Sequence, residues 1–247
     1  MMDPYRISDA TWPPVGCTRI GDFIVRRGAG GGGRVSSASW EPAAQGAHDT
    51  DGQEAETSQI DAAIVAMRQM SQVPQFQIRP HQRALDRALA ARGFAKLDPT
   101  RVFSMPLADG QEAPAPLRAF CHWPPLAITQ EIWTENGVGP ARQAIMQRAK
   151  GPKTAVLGRL DEHPVGAGYF AIHDDIVMIH AVVVEKRARQ KGVAHNMIAE
   201  GLRWAKTQGA RHLLLAVVED NLPALRLYRK LGLTDCSAYH YRRETAA

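Results

Sequence analysis

Two side chains that can exchange protons lie in segments with clear periodicity. His180 lies within an apolar, β-branched run from Ile176 to Val184, and Tyr228 lies within a later segment of helical periodicity. An imidazole, with an ordinary pKa of about 6.5, can accept a proton from an ammonium group near neutral pH, and a phenol can donate one. The residue types at these two positions therefore indicate general acid–base chemistry.

A basic turn with one glycine follows the run that carries His180. The run indicates a buried strand, and the apolar residues from Val193 onward fall on one helical face. A strand, turn and helix in this order direct backbone N–H groups and the positive helix end at one point, which suits a phosphate or pyrophosphate. Gly192 permits a close backbone approach, and small Ala194 leaves the helix start uncrowded. An ordinary solvated turn would show a similar pattern, because one glycine is a weak signal.

A second strand and helix follow this unit. His212 to Val218 is apolar and predicts a strand, and Asn221 after it is a good N-cap. Gly232 is a good helix end. Asn221 and Tyr228 are two helical turns apart, so they share a face of the predicted helix.

Together the two stretches resemble the GNAT superfamily of N-acetyltransferases. The Arg-x-x-Gly-x-Ala signature is present at Arg189, Gly192 and Ala194, and the preceding Val-x-Val is similar to the family's bulged fourth strand. The second signature, Asn-x-x-Ala-x-x-Leu-Tyr-x-Lys-x-Gly, runs from Asn221 to Gly232. The resemblance covers about residues 118–243. Three positions depart from the pattern, and none removes a needed N–H: Lys186 replaces a common proline, Ala194 the usual second glycine, and Leu233 an aromatic residue.

The resemblance implies direct transfer of an acetyl group from acetyl-CoA to a primary amine, with no metal and no covalent enzyme intermediate. It also implies main-chain contacts to the pantetheine arm from about Val182 and Val184. Tyr228 would be the general acid for the leaving thiolate, although it could instead be a tyrosine packed under the sheet. The implied coenzyme-binding residues are Val182, Val183, Val184, Arg189, Gln190, Lys191, Gly192, Val193, Ala194, Asn221, Ala224 and Tyr228.

The general base is open among three residues. His180 precedes Val182 by two residues, which predicts that both lie on one face of the strand. His-Ala-Val-Val-Val before the turn also resembles the strand of arylalkylamine-type acetyltransferases, where a histidine holds this place. A strand histidine is often only a packed core residue. Glu219 and Asp220, after the next strand, are the competing candidates.

The first part of the chain gives weaker signals. Residues 1–20 look irregular, Gly28 to Gly33 predicts a hairpin tip, and residues 41–61 form an acidic stretch typical of an exposed loop. The glycine run lacks the Gly-Lys-Ser/Thr ending of a phosphate loop and a helix directly behind it. Residues 94–106 could form two strands with a turn at Asp98-Pro99.

The first half is predicted to be a degenerate copy of the second. Aligning Gly93-Phe94 with Gly232-Leu233 places Leu89 on Tyr228 and Gln82 on Asn221, and the phosphate-binding turn has no counterpart. A generic helix–strand unit would look similar. The predicted fold is α/β with a mixed sheet, a GNAT acyl-CoA N-acyltransferase fold in tandem. Its predicted domains are 1–108, a linker at 109–117, and a catalytic domain at 118–247.

The composition limits the classes of partner. The 247 residues are 45% hydrophobic and 22% charged, as in globular proteins, and the apolar runs are too short for a transmembrane helix. The net charge of +5 comes from scattered basic residues, so we expect no nucleic-acid partner. Three widely spaced cysteines and the absence of a secretory signal predict a cytoplasmic protein with free thiols.

Several functional alternatives stay open at this point. The acceptor is expected to be a small amine, and Arg34 to Ser37 and Tyr241 are candidates for lining its slot. The other functional hypotheses are a CoA-binding regulator without turnover, and acetylation of a protein N-terminus or lysine. A homodimer is also left open.

Overall fold

A computed structural model describes residues 3–42, 55–107 and 117–245. Most of the acidic stretch at 41–61 and most of the predicted linker at 109–117 lie outside these residues. Two compact units with interleaved segments make up the chain. Unit 1 comprises residues 1–13, 103–216 and 223–234, and unit 2 comprises residues 14–102, 217–222 and 235–247. The predicted boundaries assumed contiguous domains and stay a prediction.

The elements alternate between strands and helices for most of the chain. In order they are α1 (Pro4–Thr11), β1 (Gly16–Ile20), β2 (Phe23–Arg27), α2 (Gly33–Ser36), β3 (Ala38–Trp40), α3 (Thr57–Gln69), β4 (Gln75–Ile78), α4 (Arg83–Ala91), β5 (Ala95–Pro106), β6 (Ala119–His122), α5 (Ala127–Glu135), α6 (Pro140–Arg148), β7 (Lys153–Leu160), β8 (His163–His173), β9 (Ile176–Val184), α7 (Val193–Thr207), β10 (His212–Val218), α8 (Leu222–Lys230) and β11 (Thr234–Arg243). The predicted strands at 176–184, 212–218 and 234–243 match β9, β10 and β11.

The N-terminal segment is a helix followed by a strand, so the expectation of an irregular stretch at residues 1–20 was wrong. The Asp3 side chain accepts hydrogen bonds from the N–H groups of Tyr5 and Arg6, and Pro4 occupies the first helical position. Asp followed by Pro is a strong helix-start signal, because the carboxylate caps unpaired N–H groups and proline has none to leave unpaired.

Two further predictions in the first half were wrong. Residues 95–106 form one continuous strand rather than two, and Asp98 takes a positive φ of 47° without ending it. The glycine run is followed directly by the short helix α2, which the sequence did not predict. The run still connects two strands that pair antiparallel, β2 and β3.

Unit 1 is built on a sheet with the strand order β10-β9-β8-β7-β6. β9 and β10 are parallel, and the other neighbours are antiparallel. Helix α7 lies close to this sheet because glycines face it. A Cβ on Gly166 of β8 would lie 2.7 Å from Met197 Sδ, and a Cβ on Gly201 of α7 would overlap the ring of Phe170.

Unit 2 has the strand order β1-β2-β3-β4-β11, in which β11 pairs antiparallel with β4. One face of these strands forms an apolar core with helices α3 and α4. Phe76 lies at its centre, with edge-on ring contacts to Phe23 and Phe94. In the described parts of both units, no helix has the length and apolarity needed to cross a membrane.

Replacing Gly201 with alanine tests the close approach of α7 to β8. Helix propensity alone would stabilise the protein by about 1 kcal/mol. We expect the opposite sign, a loss of about 1–3 kcal/mol in the free energy of unfolding, because the methyl group overpacks a rigid buried ring. Urea denaturation measures this change.

Phe170→Leu supplies the matched background for this test. The cost of Gly201→Ala should shrink in Phe170→Leu protein, because the smaller side chain leaves room for the methyl group. A Gly201→Ala protein more stable than the parent would contradict the packing described for α7.

Candidate active site

Strand β9 contains a β-bulge between His180 and Val183. His180 pairs with Tyr169 of β8, and Val183 pairs with Ala167, so Ala181 and Val182 face the single residue Gly168. Ala181 takes a φ of 50°, in the left-handed region. The resemblance predicted a bulged strand here, and the structure contains one.

The bulge overturns the prediction that His180 and Val182 share a face. Residues opposite each other in an antiparallel pair point to the same side, so His180 lies with Tyr169 and Val183. Val182 lies with Gly168 on the side of α7, where its Cγ2 is 3.6 Å from a Cβ built on that glycine. Alternation with a period of two fails because the bulge inserts one extra residue.

His180 is buried in unit 1 against helix α1. Its side chain is 5% exposed, and its Nε2 lies 2.9 Å from the hydroxyl oxygen of Thr11. The imidazole stacks on the indole of Trp12, with ring centroids 5.0 Å apart and planes inclined by 28°. The ring of Tyr169 is also near, with its centroid 6.0 Å from that of His180 and 5.9 Å from that of Trp12. Sequence reasoning missed Thr11 and Trp12, and the Asp3-Pro4 helix start is the signal that could have revealed their helix.

The turn after β9 ends in an uncapped helix start. The turn begins with a 3₁₀ segment at Lys186–Ala188, and Gln190 and Gly192 then take positive φ values of 61° and 81°. Gly192 is the N-cap of α7, and no side chain caps this helix. The first helical bond runs from the Asn196 N–H to the Gly192 carbonyl, at 3.0 Å. The N–H groups of Val193, Ala194 and His195 therefore have no partner within the helix.

The turn can hold an anion on two grounds. A Cβ on Gly192 would meet no atom within 4 Å, so the approach to the helix start is open. The turn at the positive end of the helix dipole carries four exposed basic side chains and only one acidic side chain, that of Glu185. The Arg187 guanidinium pairs with Glu185 at 2.7 Å, and Arg189 Nε donates to the Val184 carbonyl at 3.1 Å. The exposed basic residues are Lys186, Arg187, Arg189 and Lys191. These features fit a pyrophosphate such as that of CoA.

Tyr228 lies on α8, and burial raises the pKa of its phenol to about 12. It is 9% exposed, and its carbonyl accepts from the Leu233 N–H at the end of the helix. Asn221 directly precedes α8, as an N-cap would, and Ala224 is half-buried within the helix. Because burial disfavours the charged phenolate, the phenol stays protonated across the physiological pH range.

Glu219 and Asp220 occupy an exposed turn after β10. The Glu219 carboxylate accepts from Arg101 Nε at 3.1 Å, and both side chains are more than 40% exposed. Glu219 therefore forms an exposed ion pair with Arg101.

The family comparison covers the part of the chain that contains β9, the turn and α7. The family model described as acetyltransferase (GNAT) family matches residues 120–233. This segment is a GNAT acetyltransferase domain. It includes every residue predicted to bind the coenzyme.

Curated relatives match this chain over stretches of 61 to 118 residues. The mycothiol acetyltransferase of Corynebacterium efficiens is 33% identical over 115 residues, which cover 46% of this chain and 36% of the relative. The curated relatives that match are covered over 30% to 37% of their own length. The chain thus spans about a third of each.

Solved structures show the same fold over the whole chain. A GCN5-related N-acetyltransferase from Kribbella flavida has a TM-score of 0.69 at 17% identity, covering 100% of this chain and 97% of that one. A tandem GNAT protein from the clavulanic acid biosynthesis pathway has a TM-score of 0.58 at 13% identity, covering 91% of this chain and 78% of that one. The predicted tandem GNAT fold is confirmed, and the loss of function in its first copy stays a prediction.

Gly192→Glu tests whether the start of α7 binds CoA. The substitution places a negative side chain at the uncapped N–H groups, so we expect calorimetric titration to show at least a hundredfold weaker binding of acetyl-CoA and CoA, about 3 kcal/mol. The substituted residue would also be strained at its positive φ, by about 1–2 kcal/mol.

Gly209→Glu is the matched control. Gly209 follows the other end of α7, has a φ of 86°, and also has no atom within 4 Å of a built Cβ. The Gly209→Glu variant introduces the same charge and a similar backbone strain, and its affinity for acetyl-CoA and CoA should match that of the parent protein. Equal weakening in the two variants would mean that strain, and not the loss of an anion site, explains the effect.

Proposed function

We propose that this protein is an acetyl-CoA-dependent N-acetyltransferase that moves the acetyl group directly to a primary amine. The observation that carries the proposal is the order of parts in the GNAT domain: a bulged β9, a basic turn and the uncapped start of α7. Bound acetyl-CoA would supply the acetyl group as an activated thioester.

The coenzyme would be held mainly by main-chain groups. The N–H groups from Gln190 to Ala194 would surround the pyrophosphate, with Arg189 and Lys191 adding positive charge at the rim. The parallel pairing of β9 with β10 extends from Ile176–His212 to Ile179–Leu215. Val182, Val183 and Val184 lie beyond this pairing, where we propose that main-chain groups of β9 bind the pantetheine arm and polarise the acetyl carbonyl.

His180 would act as the general base, and Tyr228 would act as a hydrogen-bond donor to the leaving group. His180 would accept the proton of the attacking ammonium group, directly or through water. A free thiol has an ordinary pKa of about 8.5, so a phenol whose pKa is raised to about 12 would not give up its proton outright to the thiolate. Tyr228 would instead stabilise the leaving thiolate by donating a hydrogen bond.

We propose a small amine as the acceptor, and the cytoplasm as the compartment. The similar mycothiol acetyltransferase is named after mycothiol rather than after a protein substrate. In the part of the chain that the structure describes, Cys17, Cys121 and Cys236 form no disulfide, which suits a reducing compartment.

Two measurements on the native protein test the proposal. The first is calorimetric titration with acetyl-CoA and CoA. The second incubates the protein with acetyl-CoA and a panel of primary amines (arylalkylamines, polyamines, amino sugars and a lysine peptide) and follows thiol release. Binding with turnover of a small amine supports the proposal, and turnover of the peptide alone would change the acceptor class. Binding without turnover would indicate a CoA-binding regulator, and no binding would exclude the coenzyme role.

Tyr228→Phe should lower kcat by about a hundredfold while leaving acetyl-CoA binding within about twofold, because the hydrogen bond is needed only as the thiolate leaves. Burial raises the pKa of the Tyr228 phenol to about 12. Its protonated form therefore persists as the pH rises, and the native rate should show no alkaline decline from this group up to about pH 10.

Tyr169→Phe is the control for this variant. It also removes a buried phenol of raised pKa, but the Tyr169 hydroxyl donates to the Met146 carbonyl, at 3.1 Å. We expect its kcat to stay within a few-fold of the native value. A native-like kcat for Tyr228→Phe would remove this residue from the mechanism.

A further inference from the structure

Helix α1 places a hydroxyl group against the imidazole of His180. Thr11 and His180 are 169 residues apart in the chain, and both contact atoms are buried in unit 1. The Thr11 side chain is 1% exposed. A hydrogen bond in this position decides which ring nitrogen of a neutral histidine carries the proton.

The other contacts of Thr11 decide the direction of this bond. Its hydroxyl lies 2.7 Å from the carbonyl oxygen of Ile7 and 3.5 Å from that of Ser8. Carbonyl oxygens only accept, so the single hydroxyl proton is committed to the backbone of α1. The hydroxyl oxygen must then accept from His180, and Nε2 carries a proton.

We propose that Thr11 is a positioning residue that keeps the proton of neutral His180 on Nε2, so that Nδ1 is the basic nitrogen of the ring. This inference rests on the proposed function for the identity of the base. In the proton-transfer step, an N–H bond of the ammonium group breaks and an N–H bond forms at Nδ1, giving an imidazolium and a neutral amine.

The geometry suits a base because nothing has to turn when the proton arrives. The Nε2–H donates to Thr11 in both the neutral and the charged imidazole, and Thr11 keeps donating to Ile7. If Thr11 instead donated to Nε2, that nitrogen would be blocked as a proton acceptor. The indole of Trp12, stacked on the ring, favours the charged form through a cation–π interaction.

The same domain contains a histidine with the opposite arrangement. His122 has its Nδ1 at 3.3 Å from the Phe120 carbonyl and its Nε2 at 3.0 Å from the Thr129 hydroxyl. Since the carbonyl can only accept, Nδ1 of His122 carries the proton and Thr129 donates to Nε2. His122 is an internal reference, and Thr129→Val is a matched loss of a buried threonine hydroxyl.

The direct test is the ring-nitrogen NMR spectrum of uniformly ¹⁵N-labelled protein above the pH at which the histidines are neutral. His180 should show a protonated Nε2 and an unprotonated Nδ1, and His122 should show the reverse. Thr11→Val should let His180 populate both tautomers, and Thr11→Ser should retain the native pattern. A protonated Nδ1 in native His180, or a pattern unchanged in Thr11→Val, would overturn the proposal.

Kinetics test the consequence for catalysis, with the amine that reacts fastest in the panel. Thr11→Val should lower kcat/KM by about ten- to a hundredfold and shift the acidic limb of its pH profile, because part of the base is in the wrong tautomer. Thr11→Ser should restore most of the rate, and Thr129→Val should match the native enzyme. Thermal unfolding of each variant separates these effects from loss of fold.

The two proposals fail in distinguishable ways. If native protein acetylates no amine, the proposed function fails, and the NMR spectrum still decides the tautomer. If the tautomer shifts in Thr11→Val and the pH profile and kcat/KM do not change, Thr11 does not act through a catalytic base.

Discussion

The hydrogen bond from Trp133 Nε1 to the carbonyl oxygen of Ala181, at 2.9 Å, holds the backbone feature on which the candidate site depends. An alanine in the left-handed region costs about 1–2 kcal/mol relative to ordinary backbone. The strand keeps this conformation because β8 pairs on both sides of the bulge and the indole of a fully buried tryptophan fixes the carbonyl.

The bulge divides β9 into two parts with different roles. Before it, His180 faces α1, where a hydroxyl and an indole determine its surroundings. At the bulge, Val182 turns to the opposite side, next to Gly168 and Met197 of α7. In a regular strand, His180 and Val182 would lie on one face, so they could not contact α1 and α7 respectively.

The sequence predicted the elements whose signal is local. Strands β9, β10 and β11 carry β-branched or alternating residues, and the glycine turn before α7 has its own motif. Periodicity could not show the bulge, because an inserted residue leaves the composition unchanged and shifts only the pairing partner. The contact of Thr11 with His180 was also out of reach, since no pattern in one sequence links positions 169 residues apart. The Asp3-Pro4 pair, in contrast, was sufficient to predict the start of helix α1, and the sequence analysis did not use it.

The interleaving of the two units has a consequence for synthesis on the ribosome. Helix α1 is synthesised well before the strands that cover Thr11 and Trp12, which lie in the second half of this sequence. Its apolar side must stay exposed or be shielded by a chaperone during that interval. Unit 2 in turn waits for β11 before β4 gains its antiparallel neighbour. Unit 1 is completed only by residues 223–234 and unit 2 only by β11, so the order of translation does not set a simple first-half, second-half order of folding.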